Sequence, residues 1–93
     1  MAPRWAPSTD KHGIPRADQL YALINATYKA RVKAESADDG EVWLFIGPPH
    51  AQTEREIEVL VNVYSDGREA LVFHVMDLGP KFRRRREEDP DGD

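Results

Sequence analysis

The 93 residues suffice for one domain with one modest core, and a net charge of −4 argues against general affinity for nucleic acid. The absence of cysteine excludes disulfides and thiolate metal sites, and no apolar run approaches the roughly 18 residues of a membrane span. With 40% hydrophobic and 32% charged residues, and no charged-then-apolar start of a signal peptide, the chain reads as a cytoplasmic globular protein.

Residues 1–10 hold Pro3, Pro7, Ser8 and Thr9, with Trp5 the only large apolar side chain after Met1. They read as an extended arm that Trp5 pins down. Gly13-Ile14-Pro15 then leads into a helix expected over about 15–29, since proline fits the first helical turn. Ala17, Leu20, Tyr21, Ile24 and Tyr28 recur at helical period and form the stripe expected to be buried. A short strand is expected near 30–33, and Asp38-Asp39-Gly40 marks a turn. Strands rich in branched and aromatic residues are expected at 41–46, 57–64 and 69–76. Between the first two, residues 47–55 make a polar loop longer than most hairpin connections. Residues 11–82 thus read as a single α+β domain, with an N-terminal helix packed on a twisted antiparallel sheet of three to four strands. Residues 83–93 read as a charged tail, disordered at its end, although Arg83–Glu88 could extend a helix or strand. The five positive charges of residues 81–86 are answered by the five negative ones of residues 87–93.

Ser65-Asp66-Gly67 suits a three-residue hairpin loop with glycine left-handed. That loop sets Leu60 opposite Val72 and Glu58 opposite His74. Ile57, Val59, Val61, Leu71, Phe73 and Val75 then share one apolar face that carries the helix. Glu58 and His74 fall on the other face, because side chains alternate along a strand.

Opposed side chains on paired strands lie about 4.5–5.5 Å apart at Cβ, close enough for a Glu58–His74 hydrogen bond. Such a carboxylate orients an imidazole and supports its charged form, which suits a general acid in phosphodiester cleavage. The plainer reading is a polar pair that satisfies itself. His12, before the helix, is a candidate base, and Lys11 beside it a candidate RNA contact. Lys81, Arg83, Arg84, Arg85 and Arg86 are candidate phosphate ligands, with a solvated tail as the plainer reading. His50 reads as a solvated loop residue. Trp5, Trp43, Phe45 and Tyr64 offer stacking surfaces for bases, though aromatics on strands are more often core. The histidine spacings match no ligand motif, so no metal and no cofactor is expected.

Trp5-x-Pro7, Lys11-His12-Gly13-Ile14, the strand ending Ile46-Gly47 and the basic run after the last strand resemble BrnT-type toxins. These are ribonucleases of bacterial type II toxin–antitoxin pairs, in the RelE/ParE-like superfamily. The likeness spans most of residues 5–86. It implies a helical layer on an antiparallel sheet, RNA and a cognate antitoxin as partners, and Lys11, His12 and the basic run from Lys81 as functional positions. The chain departs from the family in its short start before Lys11. It also has His74-Val75-Met76-Asp77 where the family's last strand carries an arginine. Two functions follow as expectations. The first is metal-independent cleavage of mRNA, with His12 or Glu58 as base, His74 as acid, and Lys81 with Arg83 stabilising charge. The second is a non-catalytic protein-binding module of toxin-like fold.

Overall fold

A computed structural model describes residues 3–33 and 40–92. The elements follow in the order β1 (Arg4–Trp5), α1 (Arg16–Ile24), β2 (Tyr28–Arg31), β3 (Glu41–Gly47), β4 (Ile57–Val63), β5 (Leu71–Asp77) and α2 (Pro80–Glu88). A 3-10 turn over Pro7–Asp10 lies between β1 and α1. One sheet holds all five strands in the order β1-β5-β4-β3-β2. Its pairs are antiparallel except β1 with β5, which is parallel. Asp38 and Asp39 of the predicted turn lie outside the described residues.

This architecture corrects the expected one. The sheet is mixed and five-stranded, and there are two helices instead of one N-terminal helix on three to four antiparallel strands. The fifth strand comes from the N-terminal arm: the Arg4 and Ala6 amides each donate at 2.8 Å, to the carbonyls of Ala70 and Val72. A two-residue strand shows no alternation, so no periodicity could announce it. The second helix comes from the basic run, where the sequence suggested a charged tail, disordered at its end. Gly79 and Pro80 open it, as proline does in a first turn.

The helices cover opposite faces of the sheet. On the α1 side, Ile14 and Ala22 pack with Ile57, Val59, Val61, Val72 and Val75. On the α2 side, Leu78 and Phe82 pack with Tyr28, Ala30, Val42, Leu44, Ile46 and Leu60. β4 lies between two neighbours and under both layers, so Ile57 through Asn62 are all buried. A strand covered on both faces reads as a continuous apolar run.

Helix α1 ends five residues before its expected end, and it turns a different face inward. Gln19 and Ala22 are buried, while Leu20 is 42% and Ile24 73% exposed. Steric closeness selects that face. A Cβ added to Gly47 would lie 2.6 Å from the Ala22 carbonyl oxygen and 3.1 Å from Ala26 Cα. The helix therefore approaches β3 backbone to backbone, with alanine and glycine at the contact and the bulky stripe turned out. Tyr28 belongs to β2, opposite Ile46, and its helical spacing from Ile24 is coincidental. Ile24→Ala should accordingly change stability by less than about 0.5 kcal/mol. Gly47→Ala, which overfills the contact, should cost about 1–3 kcal/mol. Urea denaturation of the two variants checks both, and a larger loss for Ile24→Ala would reverse the assignment of faces.

The β4–β5 hairpin carries a bulge. Asn62 pairs Leu71 and Val61 pairs Val72, but Leu60 pairs His74, so Phe73 is the extra residue of β5. A bulge sends two consecutive side chains to one side. Val72 and Val75 face α1, whereas Phe73 packs against the α2-side core. The expected placement of Leu71 and Phe73 beneath the helix is thus corrected; both are half-buried.

Helix α2 is tied down at its far end. Arg86 grips Glu56 with two hydrogen bonds, 2.5 Å to Oε2 and 3.0 Å to Oε1. The Tyr28 hydroxyl donates to the Asp89 carbonyl at 2.7 Å. Gly92, at φ +64°, sits so close to β2 that a Cβ there would collide with the Lys29 carbonyl oxygen. The acidic C-terminal turn thus shields the edge strand β2 from pairing with other chains. Hydrogen bonding from Arg86 holds the Glu56 carboxyl below its ordinary value of 4.5, against a smaller upward push from burial. A carboxyl whose folded value is depressed stabilises the fold fully above the unfolded value and loses that contribution as pH falls through the folded one. Acidification below about 4.5 should therefore loosen α2. Amide exchange in residues 83–88 should quicken there in the wild type, and should already be fast at neutral pH in Glu56→Gln.

Candidate functional site

Glu58 and His74 meet, by a different register from the expected one. Glu58 faces Met76 and His74 faces Leu60, so the two are diagonal rather than directly opposed. The hairpin loop already displaces the expected register by one residue, pairing Asn62 with Leu71, and the bulge adds a second, so the two shifts together preserve the face. Diagonal neighbours remain within reach of long side chains. His74 Nε2 lies 2.9 Å from Glu58 Oε2, and the Gly79 amide donates to Glu58 Oε1 at 2.8 Å. The Glu58 side chain is 5% exposed and that of His74 is 31% exposed. An ionised carboxylate only accepts, so the proton of this contact sits on Nε2, and Nδ1 is the ring nitrogen left to meet a substrate. Through the Gly79 amide, Glu58 also meets the N-terminal end of α2.

His12 joins this pair from the other side of β5. It follows the 3-10 turn, and its ring stands edge-to-face with that of His74, centroids 6.2 Å apart and planes at 77°. Local hydrogen bonds hold the turn in place. Ser8 Oγ donates to the Phe73 carbonyl on β5, next to His74. Gln19 Nε2 donates to the carbonyls of Thr9 at 3.1 Å and Ile14 at 2.9 Å, bracketing the segment that carries Lys11 and His12. Gln19 is fully buried, and its Oε1 has no partner. Sequence reasoning missed Gln19, because a count of apolar spacing passes over a glutamine on the buried face. Gln19→Leu orphans two carbonyls and should cost about 1–3 kcal/mol, offset in part by removal of the unpartnered Oε1. Amide exchange at residues 11–13 should rise in that variant, and unchanged protection would deny Gln19 its clamping role.

The pair opens into a cavity of about 330 Å³ lined by Glu58, His74, Met76, Gly79, Lys81 and Phe82. Of the residues singled out in the sequence, Glu58, His74 and Lys81 line this cavity, and His12 joins them only through its contact with the His74 ring. Lys11 is exposed beside His12. The four arginines do not line this cavity. Arg86 is held by Glu56, Arg85 lies 3.4 Å from Asp89, Arg83 reaches the Leu78 carbonyl at 3.5 Å, and Arg84 is exposed.

A scan of protein-family models matches nothing, and no curated protein or solved structure matches the chain significantly.

The remaining candidates lie elsewhere. His50 is exposed in the long loop, its Nδ1 3.0 Å from the Ala51 carbonyl. Trp5 stacks under Arg16 at 4.5 Å, and Trp43 lies 5.3 Å from Lys29 Nζ. Tyr64 is buried, and Phe45 packs against the α1-side core. Among the described residues no cluster of three or more histidines or carboxylates is disposed to hold a metal ion, and no helix is long and apolar enough to cross a membrane. On the α1 face, the exposed Leu20, Ile24 and Val63 line one groove of about 600 Å³ with Leu23, Phe45 and Ala70.

Proposed function

We propose that this chain is a metal-independent ribonuclease of toxin type that cleaves mRNA. The observation that carries the reading is the edge-to-face pair His12 and His74, with Glu58 behind the second ring and Lys81 in the cavity that Glu58 and His74 line. Cleavage of RNA needs a base at the 2′-hydroxyl, an acid at the departing 5′-oxygen, and positive charge near the phosphate. His12, the more open ring, takes the 2′-hydroxyl proton as that oxygen attacks phosphorus. His74 gives a proton from Nδ1 to the 5′-oxygen as the P–O bond breaks. Glu58, spent on Nε2 and on the Gly79 amide, orients His74, as the buried carboxylate of a catalytic triad orients its histidine. Lys81 offsets charge on the phosphate oxygens, and Arg83, which does not line the cavity, is not needed for this step. The products are a 2′,3′-cyclic phosphate and a 5′-hydroxyl. The likeness to BrnT-type toxins supports the same chemistry, and it names an antitoxin as the protein partner.

Purified chain incubated with mRNA in a chelating buffer should fragment it, and His12→Ala or His74→Ala should stop the fragmentation. Intact RNA at high enzyme concentration would end the proposal. The groove beside α1 favours the second reading, a non-catalytic module that seats a protein. Its three exposed aliphatic side chains converge on the sheet face away from the histidines, and clustered apolar exposure of this kind marks interaction sites. Intact RNA together with retained protein binding would favour that module.

A further inference from the structure

We infer that the cleft between β2 and α2 is a subsite for the sugar–phosphate backbone of single-stranded RNA flanking the cleaved bond. The inference rests on the ribonuclease reading. The cleft encloses about 690 Å³, and among the described residues Arg31, Lys33, Lys81 and Arg85 face it against Glu41 and Glu88, an excess of two positive charges. Lys81 and Arg85 stand one helical turn apart on α2, so they share a side of that helix. Arg31 and Lys33 come from the opposite wall, at the end of β2.

Continuity with the histidine cavity decides what the cleft is for. Lys81 and Phe82 line both spaces. A strand whose scissile phosphate lies between His12 and His74 therefore passes over Lys81 into the cleft. Phe82 is only 6% exposed, so the floor offers no ring for a base to stack on, and the contacts are to phosphates. Backbone contacts hold a strand without reading its sequence.

The cations can turn to a phosphate at little cost. Arg31–Glu41 at 3.2 Å and Arg85–Asp89 at 3.4 Å are solvent-facing pairs, which contribute little and exchange readily for a phosphate. Lys33 and Lys81 have no carboxylate partner among the described residues. Arg86 by contrast is committed to Glu56 and takes no part. A single strand is favoured over a duplex because A-form geometry keeps the 2′-hydroxyl out of line with the leaving oxygen.

The test uses the full chain and a uridine oligonucleotide carrying 2′-O-methyl groups, which cannot be cleaved, so binding is read apart from catalysis. Lys33→Glu should weaken binding about tenfold. With one fewer phosphate neutralised, the slope of log affinity against log salt should fall by about 0.7. Lys33→Arg should bind as the wild type does. In the wild type, amide resonances of residues 31–33 and 81–85 should move on titration. Wild-type affinity in Lys33→Glu at every salt concentration, or no movement of those resonances, overturns the cleft. So does equal affinity for a matched duplex. Cleavage that ignores Lys33 would remove the cleft and leave the ribonuclease reading. Binding through the cleft by a chain that cuts nothing would remove the ribonuclease reading alone.

Discussion

His74→Ala should lower RNA cleavage by about 10²–10⁴-fold, the usual loss when a positioned acid or base is removed. The fold should survive the change. His74 is half-buried, its ring meets Glu58 at one edge, and the apolar residues around it belong to a core that does not depend on the imidazole. Removing His74 also leaves Glu58 with one of its two hydrogen bonds, that from Gly79. A buried carboxylate missing a partner costs stability. Some loss of stability beside the loss of activity is therefore expected, and circular dichroism must show folded protein before rates are compared. Glu58→Gln separates the two effects. It keeps the volume and an acceptor for Gly79, but it removes the charge behind the ring. Its rate should fall between those of the wild type and His74→Ala. A Glu58→Gln enzyme with wild-type rate would remove the carboxylate from the mechanism.

Leu44→Ala should destabilise the protein by about 2–5 kcal/mol, through reduced burial and the cavity left behind. Leu44 is fully buried on the α2 side of β3, among Ala30, Ile46, Leu60 and Phe82. Its pairing with Leu60 puts it over the central strand, where neither helix can move in to fill the space. A chain of this size holds only about 5–15 kcal/mol of net stability, so the variant should unfold markedly earlier in urea. A shift worth less than about 1 kcal/mol would mean that the α2-side core is looser than its packing implies.

The strands were legible because their signal is alternation within the strand itself. β3, β4 and β5 fall near the expected spans, but the expected hairpin register was off by one, and the Glu58–His74 contact forms because the bulge at Phe73 restores the parity beyond it. What the sequence could not carry was set by tertiary contact. Phe73 is the extra residue of the bulge, and nothing in Leu71–Asp77 marks which residue that will be. The inward face of α1 was decided by how close Gly47 lets the helix come, which outweighed a good apolar stripe. β1 is two residues long and borrows its hydrogen bonds from Ala70 and Val72. The run Lys81–Arg86 looked like a solvated tail because charge dominates it, yet Phe82 anchors it in the core and Glu56 receives Arg86. At the site, His12, His74, Glu58 and Lys81 were all named by residue type. His12 meets the His74 ring because Ser8 ties its turn to β5 and Gln19 ties it to α1, both through backbone carbonyls that no sequence pattern displays.

The most direct measurement uses a DNA oligonucleotide containing one ribonucleotide, incubated with the wild-type chain in excess chelator. A two-histidine, 2′-hydroxyl mechanism expects one cut, at the 3′ side of that ribose, leaving a 2′,3′-cyclic phosphate and a 5′-hydroxyl. Cuts at deoxyribose positions, a 5′-phosphate on the product, or an intact strand would each contradict it.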